Sequence, residues 1–272
     1  MNRGSEIAFT DASFSYAENG WSLEVPRLRL GAERVTCIVG PNGSGKSTLL
    51  RLAAGILATA RGTVCLDGTS LARIPRRTLA RRIGFLPQES PPMFDYSVEM
   101  VTQMGRYAHV GWTGALTETD RRAIDRSLVA VDMEALRRRP LSQLSGGERR
   151  RSLIAAVLAQ EPDILLLDEP TAALDIHHAA AVMRLLAGSG TEGRAVVVVT
   201  HDINLAALFA DRMLMVVKGR IVADGTPRQV VCTDVIQSAY GQDIFVRQHP
   251  ETDGPMVFAR RDATRHGGSQ NV

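Results

Sequence analysis

The sequence predicts an α/β fold built on a parallel sheet, and three observations predict it. Apolar runs at residues 164–167, 195–199 and 213–217 are strand-length and alternate with helical segments, the pattern of a parallel sheet. A further apolar run at 35–39 leads straight into the glycine-rich segment Gly40-Pro41-Asn42-Gly43-Ser44-Gly45-Lys46-Ser47-Thr48. Residues 90–160 change character and carry helical signals with loops between them, which reads as an all-α insert.

Residues 5–38 alternate as strands do, at Ile7-Ala8-Phe9, at 21–30 and at 35–39, so the N-terminal part is read as an antiparallel β subdomain. A helix is predicted from about Lys46 to Leu57. Residues 64–66 read as a short strand that ends in an Asp67-Gly68 turn. Within the insert, 98–107 and 120–131 read as helices. A third helix begins at Leu144-Ser145-Gly146-Gly147-Glu148, where Ser145 and Glu148 have the spacing of a capping box. Leu153, Ile154, Val157 and Leu158 form its apolar face. Lys218-Gly219 divides the 213–217 run from Arg220-Ile221-Val222 and reads as a hairpin. These elements place one domain over residues 1–248, with its helical subdomain at about 90–160, and a short tail at 249–272. The tail is polar from about Asp262 and is expected to be disordered.

Composition narrows the function. No apolar run approaches the roughly 18 residues that span a bilayer. The start, Met-Asn-Arg-Gly-Ser-Glu, has no apolar stretch of a secretory signal. Cys37, Cys65 and Cys232 are odd in number and without paired spacing, and read as buried, reduced thiols of a cytosolic protein. The net charge is only +3. Its arginines sit in short clusters at 76–77, 81–82, 137–139 and 149–151, with no aromatic residues interleaved. They read as solvated helix faces, and no nucleic-acid partner is expected. Only two lysines, Lys46 and Lys218, stand among the 32 basic residues. Lys46 is therefore kept where a compact ammonium is needed.

The glycine-rich segment fits G-x-x-x-x-G-K-[ST] between a strand and a helix. In such a loop the backbone N–H groups of Gly40 to Thr48 wrap phosphates, Lys46 reaches the β- and γ-phosphates, and the Ser47 hydroxyl ligates Mg²⁺. The 164–167 run ends in Asp168-Glu169, two acids at the end of a strand buried on both faces. Gly146 and Gly147 leave a bare helix N-terminus, which binds phosphate. His177 and His178 are adjacent on a helix, about 100° apart, and are expected to diverge rather than share an ion.

A phosphate loop followed about a hundred residues later by Ser-Gly-Gly, just ahead of an acidic strand end, resembles the ATPase subunit of an ABC transporter. The resemblance covers residues 5–245 and implies a P-loop NTPase (RecA-like) core. It implies that Asp168 holds Mg²⁺ and Glu169 polarises the attacking water. Gln88 matches the Q-loop glutamine, which senses Mg²⁺ and the water and links the sheet to the insert. Thr171-Ala172-Ala173-Leu174-Asp175 matches the D-loop, with Asp175 at a subunit contact, and His201 matches the switch histidine on the γ-phosphate. Tyr16 matches the aromatic that stacks on adenine, although Phe14 lies nearby and core packing explains either ring. Glu148 stands where the family usually has glutamine and still completes the capping box.

The family's architecture implies a head-to-tail homodimer in which Ser145, Gly146 and Gly147 act on ATP held by the other subunit. It implies separate permease subunits, an external substrate-binding protein contacted indirectly, and a peripheral place on the cytoplasmic face of the inner membrane. Met104-Gly105-Arg106-Tyr107-Ala108-His109, Leu174-Asp175-Ile176-His177-His178, the segment 201–207 and the tail 250–257 resemble ATPases of ferric-siderophore, haem and vitamin B12 importers. The alternative is an ABC-type ATPase outside transport, in DNA repair, Fe–S assembly or translation. Residues 89–112, with Met93, Phe94, Tyr96, Met100, Met104, Tyr107 and Trp112, are the expected permease surface, around Gln103 and Arg106.

Overall fold

The computed structural model describes residues 5–16, 20–31, 34–88, 95–111, 114–191 and 193–260. Strand β1 (Ile7–Ser15) pairs antiparallel with β2 (Ser22–Leu30). Strand β3 (Val35–Val39) then delivers the chain to the glycine-rich loop and helix α1 (Lys46–Ala53). This helix stops short of the expected Leu57, because Gly55 turns the backbone left-handed at φ 67°. Strand β4 (Arg61–Leu66) returns antiparallel to β1, and the Asp67-Gly68 turn leads to the short edge strand β5 (Thr69–Ser70).

Two elements without a strong sequence signal follow, α2 (Arg76–Arg82) and β6 (Ile83–Leu86). The insert carries α3 (Val98–Met104), α4 (Glu118–Ala130) and α5 (Gly146–Ala159). The chain re-enters the sheet as β7 (Ile164–Asp168), crosses by α6 (Ile176–Thr191) to β8 (Ala195–Val199), and by α7 (Ile203–Phe209) to β9 (Arg212–Val217). The expected hairpin joins β9 to β10 (Arg220–Gly225). Helices α8 (Pro227–Val230) and α9 (Thr233–Tyr240) lead to a second hairpin, β11 (Ile244–Gln248) with β12 (Pro255–Ala259). The tail expected from 249 thus begins inside a paired hairpin, and its stretch from 262 lies outside the described residues.

Among the described residues, ten strands form one sheet in the order β5-β4-β1-β2-β10-β9-β3-β8-β7-β6. The β9-β3-β8-β7-β6 half is parallel, and β1, β2, β4 and β5 pair antiparallel. A single parallel pair, Arg220 with Glu24, joins the halves. Alternation explains why the central strands are apolar at nearly every position. Cys37, Leu165, Leu167, Val196 and Val198 face one core, while Ile38, Ile164, Leu166, Val197 and Val199 face the other. Burial pushes the Cys37 thiol up to about 12, with Asp211 adding to the effect, so it is inert at neutral pH. The other two cysteines are unpaired and half-buried.

Several arginines expected on solvated faces instead fasten the insert. The Arg77 and Arg81 guanidinium groups donate to the Ala108 carbonyl at 3.0 and 2.8 Å. Arg106, expected near the permease surface, is 3% exposed. It donates to Asp120 Oδ1, Glu161 Oε2 and the Ala159 carbonyl, each at 2.8 Å. Asp120 also closes the capping box of α4 with Thr117. Burial alone would raise the Asp120 carboxyl, but donors on Thr117 and Arg106 outweigh it and hold it at about 2.

Arg106→Ala should therefore lose about 3–5 kcal/mol, the usual result of orphaning one member of a buried pair; urea unfolding measures it. Asp120 has a depressed folded-state pKa, so its contribution is complete above its ordinary value of 3.8 and disappears as pH falls toward 2. The variant's stability should fall less steeply than wild type across that window.

Candidate functional site

The glycine-rich loop is shaped by two close approaches. Gly40 has φ 148°, and a Cβ there would lie 2.0 Å from the Val216 carbonyl oxygen. Gly45 has φ 106°, and a Cβ there would strike the Trp21 ring at 2.7 Å. Lys46 is 6% exposed, and its ammonium donates to the carbonyls of Gly40 (2.8 Å) and Pro41 (2.9 Å). Burial lowers its pKa, and the negative charges of Glu169 and Asp168 oppose that. Ser44 and Thr48 are buried in the same turn.

Asp168 ends β7 and is fully buried. Burial pushes its carboxyl up, while the nearby Ser47 hydroxyl pulls it down. Neither carboxylate oxygen makes a hydrogen bond of ordinary geometry with another protein group. Two bare carboxylate oxygens beside a serine hydroxyl form an all-oxygen donor set that fits a hard divalent cation such as Mg²⁺.

The next residue, Glu169, has φ 50°. Its amide donates to the Val199 carbonyl at 2.8 Å and its own carbonyl accepts from Ala172 at 3.1 Å. These bonds hold a backbone conformation that costs a non-glycine residue about 1 kcal/mol or more. The Glu169 side chain is 15% exposed, with its Oε2 3.5 Å from Nδ1 of the exposed His201.

Lys46, Ser47, Gln88 and Glu169 line one open cleft of about 500 Å³. Asn42, Gly43, Gly45 and Thr48 also line it, together with Tyr16 and Trp21. Tyr16 stacks on Trp21 with centroids 6.0 Å apart, and meets Phe14 edge-on at 4.8 Å. Of the two rings considered from the sequence, Tyr16 is the one at the cleft. Trp21 was not anticipated there. Its signal was the cross-strand pair Ser15–Ser22, which brings the ends of β1 and β2 together.

The start of α5 forms a second pocket of about 300 Å³. Ser145, Gly146 and Gly147 line it with Ala173, Leu174 and Asp175, and it shares no residue with the first cleft. The capping box is complete: the Ser145 amide donates to Glu148 Oε2 at 2.8 Å, and the Glu148 amide to Ser145 Oγ at 3.2 Å. Donation from Ser145 holds the Glu148 carboxyl below its usual value. The Asp175 carboxylate accepts the His178 amide at 2.8 Å and lies 2.9 Å from its ring. That capping contact draws His178 back over the helix start. Ligand atoms of Asp175, His177 and His178 consequently lie within 4.8 Å of one another, contrary to the expected divergence of the two histidines.

Arg150, which the sequence places on a solvated face, is 6% exposed and donates to backbone carbonyls just after β6 and at the end of β7. A third, mostly apolar groove of about 840 Å³ runs between α2 and α3, where Met100, Gln103, Met104 and Tyr107 meet Arg77 and Leu116. Tyr107 is 85% exposed. Tyr96 packs on the core, while Met93, Phe94 and Trp112 lie outside the described residues. No helix among the described residues is long and apolar enough to cross a membrane.

Residues 23–172 match the ABC transporter family. This chain belongs to that family. A petrobactin import ATP-binding protein of Bacillus anthracis is 35% identical over 265 residues, covering 97% of this chain and 96% of that one. A hemin import ATP-binding protein of Nocardia farcinica is 42% identical over 240 residues, covering 88% and 83%. Among solved structures, an inward-facing conformation of a "metal-chelate type" ABC transporter aligns with TM-score 0.79 at 26% identity, over 93% of this chain and 96% of that one. A dimeric bacterial ABC transporter cassette aligns with TM-score 0.72 at 28% identity, over 82% and 99%. The chain is thus an ATP-binding ABC cassette.

Replacing Tyr16 by Ala should raise the ATP dissociation constant about 2- to 10-fold, the worth of one aromatic stack. Titration with nucleotide, read by Trp21 fluorescence, measures it; an unchanged constant would place the adenine elsewhere.

Proposed function

We propose that this chain is the ATP-hydrolysing subunit of an importer for an iron complex, a ferric siderophore first, then haem or cobalamin. The observation that carries the hydrolytic reading is the shared cleft: Lys46, Ser47, Gln88 and Glu169 face one space, with the bare Asp168 carboxylate beneath. Lys46 would turn from its own loop carbonyls to the β- and γ-phosphates. Asp168 and Ser47, with Gln88 beyond them, would hold Mg²⁺, which when bound offsets phosphate charge. Glu169 takes a proton from the water that attacks the γ-phosphorus, and the bond to the β-phosphate oxygen breaks to release ADP. His201 orients the γ-phosphate from the next strand end. The preset backbone of Glu169 supports this role, because a base must be positioned before the reaction begins.

The half-sites support a head-to-tail homodimer. The Ser145 pocket has the donors of a phosphate site but none of the phosphate-loop residues, so each would complete the other's cleft across a subunit contact that includes Asp175. The apolar groove between α2 and α3 is the surface for a permease segment. An external binding protein would be sensed only through that permease, and the subunit would sit on the cytoplasmic face of the membrane. Near-full-length likeness to import ATP-binding proteins favours this reading over an ATPase outside transport.

Glu169→Gln should retain ATP binding and lose about 10²- to 10⁴-fold in turnover, the range for removal of a general base. Near-normal phosphate release by the purified variant would remove Glu169 from that role. At the groove, Met104→Glu and Tyr107→Glu should leave the isolated subunit's ATPase activity intact while uptake by the whole transporter collapses. Undiminished uptake would move the contact elsewhere. Arg106, buried in its ion network, is unsuitable for this test.

A further inference from the structure

Arg150 is a buried charge that the cleft chemistry does not explain. It sits in α5, one turn beyond the Ser145 cap, among three consecutive arginines. Successive helical side chains point about 100° apart, so three in a row cannot all face water on a packed helix. Its Nη1 donates to the carbonyls of Pro87 (2.8 Å) and Gln88 (3.3 Å). Its Nη2 donates to the carbonyl of Asp168 and to that of Glu169 (2.9 Å). One planar fork thus spans two neighbouring strand ends, those of β6 and β7. On each strand it holds the residue the chemistry uses, Gln88 on one and Asp168-Glu169 on the other.

The arrangement is poor as a device for stability alone. A buried guanidinium is expensive, and the Arg150 Nε is buried without a partner. Burial depresses the Arg150 pKa, and the charges of Asp168 and Glu169 hold it up. The carbonyl ends of parallel strands are electronegative and suit a cation, but an apolar side chain would fill the same space at less expense. A rigid fork has one property an apolar group or a lysine lacks: it fixes the relative position of two loops bidentately. It also bonds the carbonyl of the residue whose backbone is held at φ 50°.

We propose that Arg150 is a positioning residue for hydrolysis. From the helix that bears the Ser145 pocket, it clamps the Gln88 and Glu169 backbones so that both side chains face the nucleotide. The proposal rests on the hydrolytic reading above. It makes α5 a strut between the two half-sites of one chain, so that movement of the insert is transmitted to the acid without an intervening side-chain relay.

The test is ATP turnover, ATP affinity and thermal midpoint of wild type, Arg150→Lys, Arg150→Gln and Arg150→Ala. A misplaced base lowers the chemical step while the phosphate loop still binds. Turnover should therefore fall about 10- to 100-fold, with the ATP dissociation constant within about 3-fold of wild type by the same reasoning. Arg150→Lys keeps charge and most of the volume but not the fork. It should fold and still be slow, even if the shorter variants do not fold. Millimolar methylguanidine should restore part of the activity of Arg150→Ala. Turnover within 2-fold of wild type in Arg150→Lys would overturn the proposal. So would parallel loss of turnover, ATP affinity and thermal midpoint in every variant, which marks a structural staple only. A wild-type chain that binds ATP without hydrolysing it would instead overturn the reading beneath the proposal.

Discussion

A parallel strand buried on both faces can bear polar chemistry only where it ends, and this constraint organises the molecule. Strands β3, β6, β7 and β8 lie in one parallel half-sheet with cores on either side. Their carboxyl ends therefore open on the same edge. The phosphate loop leaves β3, Gln88 follows β6, Asp168 and Glu169 close β7, and His201 follows β8. Residues scattered over more than 160 positions of sequence meet because four strands run the same way. The antiparallel strands serve a different purpose. They bring Tyr16 and Trp21 to the end of that edge, and Trp21 leaves no room for a Cβ at Gly45.

The insert divides the site rather than completing it. Its α5 starts with the Ser145–Glu148 capping box, and that cap opens on a pocket of its own beside Asp175. What α5 sends to the cleft within the same chain is a side chain from its second turn, Arg150. On the reading proposed above, one helix would face one active site with its end and support another with its flank. Other fastenings of the insert include arginine contacts, Arg77 and Arg81 to the Ala108 carbonyl and Arg106 to Asp120 and Glu161. Charged contacts of this kind favour a few defined orientations over gradual deformation.

What was legible in the sequence was local and contiguous. The phosphate loop, the capping box of Ser145 and Glu148, and the acidic strand end each state their geometry within a few residues. Legibility failed where a residue's meaning depends on distant chain. Arg106 and Arg150 look like other surface arginines, because a helix pattern gives an angle but not what lies opposite. In α5 polar Ser152 and Arg150 are buried alongside Ile154 and Ala155, so no clean apolar stripe marks the inner side. Strand β6 is only four residues long and contains Gly84. The β11–β12 hairpin was hidden for another reason: its faces are only half-buried, and it is anchored by paired hydrogen bonds between Asn204 and Val257.

The cleft is also electrostatically unbalanced, and this ties its chemistry to its stability. Asp168 is fully buried with both oxygens bare, the Ser44 hydroxyl is buried without a partner, and Lys46 is turned onto the carbonyls of its own loop. Each group is one the protein could satisfy cheaply if folding were the only requirement, since buried polar atoms are normally paired. Left as they are, they raise the free energy of the fold by an amount that a phosphate chain and its cation would recover. Binding then adds to stability in proportion to ligand concentration. On the reading proposed above, the groups that would make the cleft reactive would also couple the stability of this region to its nucleotide.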